Sequence, residues 1–170
     1  MRLAIYIILL LVALQRLLEV VYAERNTRAL LARGAVEIGR AHYPLIVLLH
    51  AAWLAAIALA LPQNATIHWG ALAVFLLLQA ARVWVIATLG PYWTTRIINL
   101  PGAPLVRKGP YRFVRHPNYL VVAGEIAVLP LAFGEIAVAA VFTVLNALML
   151  AWRIRQEDMA LAPRRAAKAV

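Results

Sequence analysis

The residues best suited to chemistry lie in one short stretch, GPYRFVRHPNYL, at positions 109–120 of a chain that is 65% hydrophobic. Arg112 and Arg115 carry forked guanidinium donors that suit a carboxylate or a phosphate. His116 can donate, accept or carry a proton, and the tyrosines offer flat aromatic surfaces. Two prolines fix the backbone, so the stretch is a shaped loop. It suits an anionic aromatic small molecule at a membrane face, and a collar that binds acidic lipid headgroups explains the same residues equally well.

A second cluster of charged residues occurs in RIRQEDMAL, at positions 153–161. Arg153, Glu157 and Leu161 are four residues apart, which places them on one face of a helix. Glu157 and Asp158 are adjacent carboxylates that could bind a cationic group if they lay opposite the arginines and the histidine of the first stretch. A solvated helix end with ion pairs between neighbouring turns is the alternative interpretation.

The composition of the chain indicates what kind of secondary-structure elements position these residues, because it is strongly apolar. The chain has 170 residues, of which 14% are charged, against about 25% in a soluble domain. Its mean hydropathy is +0.81, which indicates an integral membrane protein of one domain. The absence of cysteine excludes disulfides, thiolate metal sites and a cysteine nucleophile, and we predict no metal site. The net charge of +10 is not gathered on a soluble basic face, so we predict no nucleic-acid partner.

The apolar runs predict an all-α fold with about five transmembrane helices. Runs of roughly 17–25 residues can cross a bilayer as a helix. A longer apolar stretch after Asn118 is interrupted by Pro130 and by a Gly-Glu pair, and it is interpreted as a tight hairpin of two helices. The predicted helices are Leu3–Tyr22, Tyr43–Leu61, Trp69–Leu89, Tyr119–Phe133 and Ile136–Trp152.

The distribution of basic residues predicts the topology. Residues 23–42 contain four arginines, residues 91–118 contain five basic residues, and the tail from Arg153 contains five. The intervening connections contain none. Basic loops remain on the cytoplasmic side of a membrane, so we predict an outside N-terminus and a cytoplasmic C-terminus. The predicted location is a bacterial inner membrane, with membrane lipids around the helices.

Charged residues inside predicted spans are functional candidates, because a charge in the bilayer is unfavourable without a partner. Arg16 and Glu19 are three residues apart and suggest a structural ion pair. Arg82 lies deeper, where it could reach the interface, pair with Glu125 or line a cavity. Glu125 either pairs with another charge or lines an active site.

The first basic segment has two possible roles. Residues 23–42 could form an amphipathic helix on the inner leaflet, or they could form the rim of an opening for a lipid substrate. Glu37, Arg40 and His42 belong to this segment. Trp93 is notable because it begins the loop that leads to the GPYRFVRHPNYL stretch.

Together, the two clusters resemble a known family of membrane enzymes. GPYRFVRHPNY, followed some forty residues later by an acidic pair in a helix, is similar to the isoprenylcysteine carboxyl methyltransferase family. The resemblance covers roughly Leu89–Leu161. The N-terminal half, with ERNTRALLARGAVEIGRAHYPL, resembles a bacterial branch associated with type III polyketide synthases, whose members methylate long-chain pyrones or resorcinols.

The resemblance implies S-adenosylmethionine as cofactor in a cytoplasmic pocket, and an acceptor that is either a long-chain phenol or pyrone or a prenylcysteine-like lipid. Residues 89–161 would form the cofactor-binding core and residues 1–88 the side for the lipid substrate. The expected catalytic residues are Arg115, Glu157 and Glu125. His42, Arg82 and Trp93 are expected to contact the substrate. The expected cofactor-binding residues are Gly109, Pro110, Tyr111, His116, Pro117, Asn118, Tyr119 and Glu157.

The chain departs from the family pattern in three places. Leu120 replaces a common glycine, Asp158 replaces the second glutamate, and the tyrosine-containing tail is not found after the acidic pair. We therefore expect a lid built from Trp93–Asn99. Membrane sterol and enone reductases, which use NADPH, share an R-H-P-N-Y segment and form the alternative enzyme class. A lipid-binding membrane protein without catalytic activity is the third possibility.

Overall fold

Five helices and one small β-ribbon form the fold, seen in a computed structural model that describes residues 1–40, 43–103 and 105–166. The prediction of a helical membrane protein is confirmed, and the last two helices form the expected hairpin. The two-stranded ribbon is an addition that the sequence patterns did not predict. The helices are α1 (Arg2–Leu31), α2 (Tyr43–Ala60), α3 (Trp69–Leu89), α4 (Pro117–Leu131) and α5 (Ile136–Ala166).

Four of these helices, α1, α2, α3 and α5, are long and apolar enough to cross a membrane. Helix α4 is apolar but has 15 residues, which is about 22 Å at 1.5 Å per residue. It is thus shorter than the roughly 30 Å hydrocarbon layer. Large apolar side chains such as Leu3 and Leu77 point outward, as they do in helices that contact lipid.

The hairpin between α4 and α5 is closed by a short turn. Pro117 occupies the first position of α4, where a missing backbone N–H leaves no hydrogen bond unmade. At the other end, the backbone N–H of Glu135 donates to the carbonyl of Pro130 at 2.9 Å. Gly134 has a φ of +81°, a conformation that glycine adopts without strain, and it lets α5 turn back along α4.

The apolar core occupies the half of the bundle that contains this hairpin turn. Trp53 and Ile57 of α2 are fully buried against Phe75 of α3 and Ile126 and Leu129 of α4. The indole N–H of Trp53 donates to the carbonyl of Ile126 at 3.2 Å, which satisfies the one polar group of that side chain. This close packing holds α4 firmly, so that its N-terminus at the opposite end of the bundle has a fixed position.

A network of ion pairs lies beside the core. Arg82 donates to Glu19 and to Glu125, each at 2.8 Å. Arg16 donates to the same two carboxylates, at 3.1 Å to Glu19 and 2.8 Å to Glu125. Gln79 donates to Glu125 at 2.7 Å. Of the roles considered for Arg82 and Glu125, the structure therefore shows the mutual pairing, and the network joins α1 to α3 and α4.

The first basic segment folds differently from the predicted interfacial helix. Residues up to Leu31 prolong α1 as one continuous helix, since neither glycine nor proline occurs before Gly34. Strand β1 (Val36–Ile38) follows and pairs antiparallel with β2 (Ile97–Asn99). In this register Glu37 lies opposite Ile98. His42, expected to contact the substrate, lies outside the described residues.

Candidate active site

A cavity of about 730 Å³ lies at the end of the bundle where α4 begins, beside the C-terminal half of α5. Its wall is formed by the ends of α1 and α3, the segment that includes β2, the loop before α4, the first turn of α4, and α5. The two charged clusters of the sequence thus face one space. Volumes of 300–1,000 Å³ are typical of sites for small molecules.

Three side chains form the polar centre of the cavity. The Tyr119 hydroxyl donates a hydrogen bond to the Glu157 carboxylate and accepts one from Arg153 Nε at 2.8 Å. Arg153 also donates from Nη2 to the carbonyl of Thr95 at 2.7 Å. The four-residue spacing of Arg153 and Glu157 on α5 places both on the side that faces α4. The arrangement holds the Glu157 carboxylate at a fixed place in the wall.

His116 connects this centre to the next residue of α5. Its Nε2 lies 3.2 Å from Asp158 Oδ1, and its Nδ1 lies 3.7 Å from Glu157 Oε1. The ring stacks on Tyr119 with 5.3 Å between centroids and an angle of 18°. His116 is therefore oriented by two carboxylates and one aromatic ring.

The charge of the cavity is unbalanced. Glu157 is the one carboxylate among the described residues that line it. Arg107, Arg112 and Arg115 also line the cavity, and none of them forms an ion pair with a described carboxylate. Burial, followed by the charge of Glu157, raises the pKa of Tyr111, so its hydroxyl stays protonated. The site can hold one cationic group beside Glu157 and anionic groups beside the arginines.

Three buried polar atoms in cavity-lining residues have no hydrogen-bond partner within the described part of the chain. They are the donors Arg153 Nη1 and Trp93 Nε1 and the acceptor Asn118 Oδ1. Arg153 is 8% exposed and Trp93 3% exposed. Leaving such groups unpaired is unfavourable by about 1–3 kcal/mol each, more for a charged group. A ligand with a carboxylate and with hydroxyl or amino groups would supply the missing partners.

This geometry agrees with the comparison of the sequence with known proteins. Residues 71–163, more than half of the chain, match the isoprenylcysteine carboxyl methyltransferase family. The chain belongs to this family. The matched range contains both charged clusters, all of α4 and all but the last three residues of α5. Since the family consists of membrane methyltransferases, family membership supports an enzyme of that class.

Two bacterial relatives cover most of the chain. The Bacillus subtilis protein YpbQ is 38% identical over 160 residues, which are 92% of this chain and 95% of YpbQ. A Haemophilus influenzae protein is 33% identical over 142 residues, 81% of this chain and 83% of that protein. Both are described as uncharacterized, so they indicate no substrate. No solved structure matches the chain.

Most residues expected to bind the cofactor of the methyltransferase lie in the cavity wall. Five of them line it directly: Tyr111, His116, Asn118, Tyr119 and Glu157. The other three, Gly109, Pro110 and Pro117, shape the turns that carry this set.

The expected catalytic and substrate residues divide into two groups. Arg115, Glu157 and Trp93 line the cavity. Glu125 and Arg82 do not: Glu125 is 1% exposed, and both belong to the ion-pair network within the bundle. This placement departs from the prediction that Glu125 is catalytic and that Arg82 contacts the substrate. The physical reason is that each charge already has its partner in the other and in α1.

Sequence reasoning missed the role of Arg96. Arg96 lines the cavity and forms ion pairs with Glu24 at 3.2 Å and Glu37 at 3.4 Å. Opposite charges in the two basic loops were visible in the sequence, but no spacing rule connects residues some sixty and seventy positions apart. Their proximity depends on the ribbon register and on the length of α1.

Gly109→Ala is expected to lower the free energy of unfolding by about 1–3 kcal/mol. Gly109 has a φ of +55°, and a Cβ there would lie 2.5 Å from Thr88 Oγ1. Gly102→Ala is the matched control, because Gly102 has a φ of +74° and no described neighbour within 4 Å of its Cβ position. Thermal unfolding in detergent should show a larger decrease for Gly109→Ala. Equal decreases would mean that the contact with Thr88 is unimportant.

Proposed function

We propose that this protein transfers a methyl group from S-adenosylmethionine to an oxygen atom of a lipophilic acceptor. The observation that carries the proposal is the cavity that unites the H-P-N-Y turn with the Glu157 carboxylate and with unpartnered buried donors. Membership of the methyltransferase family supports the same reaction class.

The residues present fit such a cofactor. Arg153 Nη1 and Trp93 Nε1 are donors suited to its carboxylate, and Glu157 is the carboxylate suited to its cationic end. Asn118 Oδ1 can accept a hydrogen bond from an amine or hydroxyl group. The protonated Tyr111 adds an aromatic surface and a donor.

When bound, S-adenosylmethionine supplies an electrophilic methyl group carried on a sulfonium. The protein orients the acceptor and excludes water, which are the main requirements of such a displacement. Arg115, which forms no ion pair with a described carboxylate, holds the acceptor oxygen through its guanidinium. A carboxylate acceptor needs no base, whereas a phenol or enol loses a proton, and His116 is the residue positioned to take it.

The acceptor is proposed to be an amphiphile whose reactive oxygen reaches the cavity from the membrane. A long-chain phenol or pyrone and a prenylcysteine-like carboxylate share this chemistry, namely an acidic oxygen on a long apolar chain. The basic residues around the cavity support its placement on the cytoplasmic side, in a bacterial inner membrane.

Calorimetric titration of the detergent-purified protein with S-adenosylhomocysteine, in parallel with NADPH, tests the proposed function. We expect micromolar binding of S-adenosylhomocysteine and none of NADPH. Binding of NADPH alone would identify a reductase. Binding of neither ligand would contradict the proposal that the cavity holds S-adenosylmethionine. Methyl transfer from labelled S-adenosylmethionine to alkylresorcinols and to prenylcysteine analogues then separates the two acceptor classes.

A further inference from the structure

The cavity wall that contains β2 is held by hydrogen bonds to three helices, two of them in the N-terminal half of the chain. The carbonyl of Trp93 accepts a hydrogen bond from Asn26 of α1 at 2.9 Å. On the other side, the carbonyl of Thr95 accepts from Arg153 at 2.7 Å. The Thr95 hydroxyl donates to Tyr43 at the start of α2, at 3.1 Å. The wall therefore bridges α1, α2 and α5.

Arg96 makes the largest set of these attachments. One nitrogen of its guanidinium lies 3.2 Å from Glu24 of α1, and another lies 3.4 Å from Glu37 of β1. The same group stacks on the ring of Tyr43, 5.1 Å from its centroid. A single planar fork thus joins three separate elements, which a lysine cannot do because its ammonium is a compact point charge.

Arg96 and its partners Glu24, Glu37 and Tyr43 are called the clamp here. The clamp acts on the polar centre through one peptide group. Arg96 immediately follows Thr95, whose carbonyl fixes Nη2 of Arg153. With Nη2 fixed, Nε of Arg153 reaches the Tyr119 hydroxyl at 2.8 Å, and that hydroxyl in turn donates to Glu157. A displacement of the wall would therefore release Arg153 and change the orientation of Glu157.

We propose that Arg96 is a positioning residue through which residues 24–43 become part of the cofactor site. This inference rests on the proposed function, since it assigns to the clamp an effect on cofactor binding. The three partners of Arg96 lie outside the range 71–163 that matches the family. The clamp is accordingly a property of this chain's N-terminal half, and it closes the pocket from the side of α1.

Arg96→Lys, with Arg28→Lys as control, tests the clamp. Arg28 also pairs with Glu24, at 3.2 Å, but its side chain is 78% exposed and does not line the cavity. We expect Arg96→Lys to weaken binding of S-adenosylhomocysteine about tenfold and to speed amide hydrogen exchange of residues 93–99 in the ligand-free protein by a similar factor. Arg28→Lys should change neither. Glu37→Gln provides the second variant if Arg96→Lys does not fold, with the same direction of change.

The two measurements distinguish the failure of the clamp from the failure of the proposed function. Wild-type protein that does not bind S-adenosylhomocysteine would overturn the proposed function, while hydrogen exchange would still decide whether Arg96 holds the wall. Unchanged exchange in Arg96→Lys would overturn the clamp. Faster exchange with unchanged affinity would equally overturn the inference, because the wall would then not position the site.

Discussion

Glu157→Gln is expected to weaken binding of S-adenosylhomocysteine by roughly 10- to 100-fold, the range for loss of a hydrogen bond to a charged group. Glutamine keeps the shape of the glutamate side chain and can still accept a hydrogen bond from the Tyr119 hydroxyl. The substitution removes the one carboxylate among the described cavity-lining residues. A ligand with a cationic end would then face arginines without a compensating negative charge. Turnover should fall at least as far as affinity.

The neighbouring carboxylate provides the control for this prediction. Asp158→Asn changes the same charge in the next residue, and Asp158 contacts His116 at 3.2 Å without lining the cavity. Calorimetric titration should show a much smaller loss of affinity for Asp158→Asn, and both variants should unfold close to the wild-type temperature. Equal losses would indicate a general effect of charge near His116, and wild-type affinity of Glu157→Gln would remove Glu157 from the cofactor site.

The helices could be predicted from the sequence because their determinants are local. The bounds of α3 agree with the prediction at both ends, Trp69–Leu89, since an aromatic residue begins the apolar run and Gly-Pro ends it. The α4–α5 hairpin follows from a proline and a glycine in an apolar stretch. Predicted ends were less accurate for α1 and α5, because these helices continue as charged helices beyond the predicted apolar spans.

The two motifs of the site could also be predicted, but their contacts could not. Adjacent carboxylates and an H-P-N-Y turn indicate a ligand without specifying which carboxylate meets which ring. The structure shows that Glu157 contacts Tyr119, whereas Asp158 contacts His116. The ribbon was missed because strands of three residues carry no detectable alternation of polar and apolar side chains.

The buried charges also show that contacts between distant residues could not be predicted from the sequence. A lone carboxylate in an apolar helix predicts a functional group. In the structure Glu125 is not alone, because Arg16 and Arg82 reach it from helices more than forty residues away in the sequence. Deciding between catalysis and packing therefore needs a measurement that separates stability from turnover.

Glu125→Ala is expected to lower the free energy of unfolding by about 3–5 kcal/mol, the range for breaking a buried ion pair. The side chain of Arg82 is 7% exposed and that of Glu125 is 1% exposed, so Arg82 would lose a partner where water cannot replace it. Removing both charges, in Arg82→Leu with Glu125→Leu, should be less destabilising than Glu125→Ala alone. Glu19 would keep its 3.1 Å contact with Arg16, leaving the remaining charges paired.

Reversible unfolding by dodecyl sulfate in mixed micelles measures this difference, and titration with S-adenosylhomocysteine measures the site in the same samples. Since Glu125 does not line the cavity, the folded fraction of each variant should bind the ligand with wild-type affinity and retain turnover. A double variant as unstable as Glu125→Ala would show that the lost ion pair itself determines stability, and not the excess positive charge of two arginines that share Glu19. A Glu125→Ala protein that unfolds like the wild type but no longer methylates would return Glu125 to the catalytic role predicted from the sequence.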